Sequence, residues 1–207
     1  RERHFSSMKD YAIRQSSCYD NCMAYLVQKN CQKLNLINPL RKYNYKELLM
    51  RYFWAHDYFL DDLSGKTYIA GDAQVLPFWT GVVNDLDMFK KVSSKIEKEG
   101  LNNQLAMKYT ASAHKEHDMV SIEILNRNYE QHALWSHLGM IWLDVLYRMN
   151  KSQLKVEMGK YEHVIEKYHN FLELYNPDLS LFKGPLYVAD DSMSWCAVWL
   201  NYKKRGF

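Results

Sequence analysis

From Leu154 to Tyr175 the residues Leu154, Met158, Tyr161, Ile165, Tyr168, Leu172 and Tyr175 fall at alternating spacings of four and three. That rhythm keeps them on one face of an α-helix, whereas a strand needs a period of two. It predicts a helix that runs to about Tyr175. Just upstream, Leu134, Leu138, Ile141, Trp142, Val145 and Leu146 predict another over 131–149. Two successive amphipathic helices must each bury a stripe, and packing against one another is the direct way to do it.

The rest of the chain repeats the theme. Met23, Leu26, Val27 and Cys31 predict a helix over 19–34, which Asn38-Pro39 interrupts. Asn44 with Glu47 three residues on reads as a capping box, opening a helix with Tyr45, Leu48, Leu49, Tyr52 and Phe53 on one face. Asp61, Asp62, Ser64 and Gly65 suggest a turn between extended pieces at 58–60 and 66–70. Asp72 opens a short apolar helix that Pro77 should kink or divide. Asn84 or Asp85 caps the next helix, with Phe89, Val92 and Ile96 inside and Gly100 at its end. Residues 101–130 carry little pattern, although 119–125 alternate like a strand. Asp190, Asp191 and Ser192 read as the cap of a final helix over 192–203. The expectation is one all-α domain over 1–207: about seven helices in consecutive hairpins, with short β-hairpins confined to loops.

Composition narrows the function classes. A net charge of +3 with Lys and Arg interleaved among Asp and Glu gives no basic stripe for nucleic acid. No apolar run approaches the ~20 residues of a membrane span, so a cytoplasmic protein is expected. The four cysteines form no dense framework and are read as reduced thiols. No phosphate-binding or dinucleotide fingerprint appears, and no cofactor is implied. The pairs His114/His117 and His132/His137 raise the question of zinc. Neither has a metalloprotease signature and no cysteine pair joins them, so surface or loop histidines are the preferred reading and no metal is assigned.

Three segments carry a family resemblance. The run from Ala133 to Leu179, with Glu173-Leu174-Tyr175-Asn176-Pro177 near its end, resembles the closing part of the six-hairpin glycosidases, the (α/α)6 toroids that include processing α-glucosidase, trehalase and glucoamylase relatives. Ser17-Cys18-Tyr19-Asp20-Asn21 resembles the Ser-Gly-Trp-Asp-Asn segment of that group, departing from it at Cys18 and Tyr19. Gly71 to Pro77 resembles a middle helix of these rings. The resemblance implies the C-terminal part of an (α/α)6 toroid that hydrolyses an α-linked glucoside or related saccharide, with Glu173 as general base and Asp20 as general acid. Inversion requires two carboxylates ~6.5–9.5 Å apart on opposite sides of the scissile bond. Trp135, Trp195, Tyr175, Asp190 and Asp191 are the accompanying saccharide-binding candidates.

Plainer readings stand beside each of these. Asp20 fits a helix cap, Glu173 a helix end, and Asp190 and Asp191 a cap. Of the six tryptophans, Trp142 and Trp199 lie within helices and read as core. Trp135 and Trp195 lie nearer loops and are better placed to stack on sugar. The alternative function is a non-catalytic helical-toroid module that binds carbohydrate or a protein. The chain opens on Arg1, and seven helices are fewer than a six-hairpin ring requires. A missing N-terminal segment or a second copy is therefore expected to complete the ring.

Overall fold

A computed structural model of the protein describes residues 3–6, 9–105, 107–111, 126, 128–185, 187–191 and 193–207. Seven helices lie among these residues: α1 (Cys18–Lys33), α2 (Tyr45–Tyr52), α3 (Gly71–Thr80), α4 (Leu86–Glu99), α5 (Ser136–Met149), α6 (Lys151–Tyr168) and α7 (Cys196–Lys204). The described strands are short. β1 (Arg3–Ser6) and β2 (Lys9–Arg14) form an antiparallel pair ahead of α1. β3 (Met107–Lys108), β4 (Leu134–Trp135) and β5 (Leu174–Tyr175) form a three-stranded antiparallel patch, and β6 (Lys183–Gly184) pairs with β7 (Tyr187–Val188).

The odd-numbered helices lie side by side, with α1 on α3, α3 on α5 and α5 on α7. Each even-numbered helix packs on the odd one before it. Burial follows this order. Every residue of α3 except Trp79 is buried, as befits a helix enclosed on all sides. α4 buries only Phe89, Val92, Ser93 and Ile96, a single stripe.

One contact repeats along the row. The first residue of α1, Cys18, donates its backbone N–H to Asp61 O at 2.8 Å. The first residue of α3, Gly71, donates to Tyr109 O at 2.8 Å, and the first of α5, Ser136, to Glu173 O at 3.0 Å. Each acceptor lies in the loop that follows the next even-numbered helix. A helix start leaves its first N–H groups without intrahelical partners. Here the returning loop satisfies one of them in each of three successive hairpins.

A buried charge network lies at the first two of these joints. Arg14 Nη1 donates to Asp61 Oδ1 at 3.0 Å and to Asp72 Oδ2 at 2.8 Å. Lys9 Nζ lies 3.7 and 3.6 Å from the same two carboxylates, and the Tyr68 hydroxyl donates to Asp61 Oδ2 at 2.8 Å. Lys66 Nζ donates to Ile13 O and to Asp62 Oδ2. Burial alone would raise the Asp61 carboxyl, but Lys9 and Arg14 beside it, with the Tyr68 hydroxyl, hold it well below the usual carboxylate range. Removing one member of such a group leaves an uncompensated buried charge, at a cost of about 3–5 kcal/mol.

Several boundaries differ from the sequence reading, each for a physical reason. The extended pieces expected at 58–60 and 66–70 do not pair; Phe59 bridges Trp54 instead, while Asp61 and Asp62 turn inward to the network. Pro77 lies inside an uninterrupted α3. Proline has no N–H to offer the carbonyl four residues back, and the Cys18 thiol donates to that carbonyl, Ala73 O, at 3.8 Å. α5 starts at Ser136 rather than Gln131, because Leu134 and Trp135 are drawn into pairing between β3 and β5. α6 ends at Tyr168, where His169 takes a left-handed conformation, so Leu172 is buried from a loop and Tyr175 from strand β5. The Asn44 and Asp85 caps and the Gly100 stop are as read. The 119–125 segment lies outside the described residues.

Gly71 stands where α3 begins against the 108–109 backbone. A Cβ there would fall well inside van der Waals contact of the Lys108 carbonyl oxygen, and backbone cannot rotate away. Gly71→Ala is therefore expected to cost about 1–3 kcal/mol through overpacking. Chemical denaturation of the variant checks this, and an unchanged midpoint would show that the joint tolerates expansion.

Candidate functional site

The joint at the start of α5 gathers the largest share of the residues singled out from the sequence. Ser136 anchors it twice, by its amide on Glu173 O and by its hydroxyl on Leu172 O at 2.7 Å. Glu173 is thereby held by its backbone on both sides, since its own N–H donates to Asp190 O at 2.8 Å. Its half-buried carboxylate accepts a hydrogen bond from the Tyr187 hydroxyl. Burial, and then this bond to Glu173, raise the Tyr187 phenol above its ordinary value. Glu173 therefore sits in the loop that follows α6, not on the helix's last turn.

Aromatic rings join Tyr187 to the rest of this end. Tyr187 meets Tyr129 edge-on at 5.1 Å, and Tyr129 meets Trp135 at 4.8 Å. Trp135 touches His137 at 5.0 Å, and His137 touches Trp195 at 4.9 Å. His137 Nε2 lies 3.1 Å from the Tyr109 hydroxyl, while its Nδ1 has no hydrogen-bond partner among the described residues. Burial pushes the His137 imidazole down to about 4, against a weaker upward pull from Asp72. It is neutral at pH 7, and a donor or acceptor rather than a cation.

Asp20 lies on the exposed first turn of α1. Ser17 caps that helix by accepting from Asp20 N at 3.0 Å, and its hydroxyl donates to Asp20 Oδ2 at 2.8 Å. Asp20 is thus tied to the cap residue Ser17 by both its amide and its carboxylate. The starts of α1, α3 and α5 are linked in turn. Cys18 bonds to Asp61, Arg14 joins Asp61 to Asp72 on the first turn of α3, Gly71 bonds to Tyr109, Tyr109 meets His137, and Ser136 bonds to Glu173. A continuous line of polar contacts leads from the helix that carries Asp20 to the loop that carries Glu173.

The other candidates separate. Trp195 is half-buried beside His137. Trp135 is buried with its indole N–H donated to Tyr129 O at 2.7 Å, so it is packed rather than presented to a ligand. Tyr175 is fully buried; its hydroxyl accepts from Leu172 N and its ring meets Tyr168, which removes it from any ligand-facing surface. Asp190 and Asp191 are exposed, and neither caps a helix, because α7 starts only at Cys196 and has no side-chain cap. Trp142 and Trp199 are core, as read. Among the described residues no group of three His, Cys, Asp or Glu side chains is placed to hold a metal ion; His114 and His117 lie outside them. All four cysteines are free. No described helix is long and apolar enough to cross a membrane.

The part played by Lys9, Arg14, Tyr68, Tyr109 and Asp61 is absent from the sequence reading. Their partners are far away in the chain, so no local spacing announces them. His137 enters that reading only as half of a possible zinc pair.

No protein-family model matches the chain, and no curated protein matches its sequence. Its fold is similar to that of an uncharacterized conserved protein from Thermus thermophilus, with a TM-score of 0.61 over 89% of this chain at 11% identity. The chain spans 46% of that protein's length.

The depressed imidazole has a pH consequence. Between its ordinary value of 6.5 and about 4, the unfolded chain binds a proton at His137 that the folded chain refuses. Stability therefore falls as pH drops through that window, by at most about 1.4 kcal/mol per pH unit from this group. His137→Gln should flatten the profile between those limits, as measured by denaturation at stepped pH. An unaltered slope would mean that His137 is already protonated in the fold.

Proposed function

We propose that the chain is part of an (α/α)6-toroid glycosidase that hydrolyses an α-linked glucoside or related saccharide with inversion. Glu173 is the general base and Asp20 the general acid. The observation that carries this reading is the repeated joint: three successive hairpins each fold their return loop onto an odd-numbered helix start, and Glu173 lies in the third such loop. Side-by-side odd helices with even helices packed on them are what a ring of hairpins requires. The seven helices among the described residues make three and a half hairpins, and we assign the remainder of the ring to further chain or to a second copy.

The local chemistry suits the roles. The Tyr187 hydroxyl fixes the orientation of the Glu173 carboxylate, leaving its other oxygen to take a proton from water. Asp20, exposed and carrying a hydroxyl neighbour, is accessible to a leaving-group oxygen. An inverting pair needs about 6.5–9.5 Å between the carboxylates to admit that water. Trp195 offers a ring face to the apolar side of a sugar, and the neutral His137 beside it suits a sugar hydroxyl.

Glu173→Gln keeps the Tyr187 contact and the size of the side chain but removes the base. Turnover of an active α-glucoside, found by screening α-linked di- and trisaccharides, should fall about 10²–10⁴-fold with little change in melting temperature. Wild-type turnover in the variant would remove Glu173 from the mechanism.

A further inference from the structure

A concave region lies away from this end. The chain between α1 and α2 turns back over the later half of α1 and leaves a groove of about 550 Å³. That volume is in the range of small-ligand sites. At about 1.5 Å per residue, Gln28 on its wall is about 15 Å along α1 from Cys18, so the groove is separate from the joints described above.

The wall is held in place. Gln28 Nε2 donates to Leu40 O at 2.8 Å and to Tyr43 O at 3.1 Å, tying the returning segment onto α1. Asn38 Oδ1 accepts from Leu40 N at 3.0 Å, and Asn44 caps α2 on the far side. Three tyrosines line the groove: Tyr25 half-buried, Tyr45 buried, and Tyr43 with 44% of its surface exposed. Tyr43 and Tyr45 lie 6.0 Å apart at a tilt of 49°; Tyr43 is the exposed ring of the two, with Lys42 Nζ 5.0 Å from its centroid.

Its charge is one-sided. Arg41 and Lys46 line the groove, both exposed, and no carboxylate does. Among the described residues neither makes an ion pair, whereas Lys90, Lys95, Lys160 and Lys203 all do. The Gln32 amide, Gln28 Oε1 and Asn38 Nδ2 supply the remaining polar lining. Between them they offer donors and acceptors, as vicinal hydroxyls require. Aromatic faces suit the C–H face of a sugar ring, and uncommitted cations suit an anion.

We propose that this groove binds an acidic sugar, meaning a saccharide that carries a carboxylate or a phosphate. Arg41 and Lys46 take the charged group, Tyr43 takes a ring face, and the amides take hydroxyls. The assignment does not depend on Glu173 or Asp20.

Isothermal titration calorimetry of the full chain with trigalacturonate, glucose 6-phosphate, maltotriose and inorganic phosphate tests it. At least one of the two acidic sugars should bind, and which one does so tells carboxylate from phosphate. Arg41→Ala with Lys46→Ala, and separately Tyr43→Ala, should each weaken binding at least about tenfold, and added salt should weaken it in the wild type. All three positions are exposed, so the variants should keep the wild-type melting temperature, and Glu173→Gln should bind as the wild type does. Failure of both acidic sugars to bind overturns the proposal. So does maltotriose or inorganic phosphate binding as tightly as the acidic sugar, or wild-type affinity in the folded groove variants.

Discussion

Arg14 is buried between Asp61 and Asp72, and much of the fold's loop-bearing end depends on that contact. A guanidinium can bind two carboxylates at once in fixed geometry. Here the two come from different places, one in the loop after α2 and one on the first turn of α3. With Lys9 beside both, strand β2, the start of α1 and the start of α3 are fixed relative to one another. Such a cluster adds little net stability, because desolvation offsets most of the Coulomb gain. Its effect is positional, since other arrangements would bury charge without a partner. The depressed Asp61 carboxyl ties that effect to pH. Its contribution is present above the ordinary carboxylate range and is lost as pH falls below it.

From that fixed corner the same joint is reused. Cys18, Gly71 and Ser136 each give a helix-start amide to a returning loop, and the third loop carries Glu173. The site candidates thus rest on backbone bonds first and side chains second. The Glu173 main chain is held at both its N–H and its carbonyl before Tyr187 engages its carboxylate. Loops held in this way can carry functional side chains without being mobile. The groove beside Arg41 is held instead by a side-chain amide, Gln28, which binds two carbonyls of the segment that forms its wall.

The helices were legible because each announces itself locally. Asn44, Asp85 and Gly100 act within a turn of where they stand, and the stripe from Leu154 to Tyr168 is a property of one segment. What escaped was long-range. Leu134 fits a helical stripe, but its backbone is claimed by β3 and β5. Leu172 and Tyr175 continue the rhythm of α6 and are buried as it implies, yet from a loop and from β5, because His169 turns the chain first. Apolar spacing reports burial and cannot tell a buried loop or short strand from a helix. Pro77 escaped for the complementary reason, since the group that compensates it, the Cys18 thiol, lies on another helix. Glu173 and Trp195 are candidates by motif and position alone. Arg14 and Tyr109 have no such local signal, since a charge or phenol in the core is recognised only by its partners.

The repeated joint is the central structural claim, and amide hydrogen exchange tests it directly. Amides at the start of a helix normally exchange quickly, as Tyr45 at the start of α2 should. The Cys18, Gly71 and Ser136 amides should instead be protected to about the level of helix-interior amides in α3 and α5. Exchange of these three as rapid as that of Tyr45 would contradict the account.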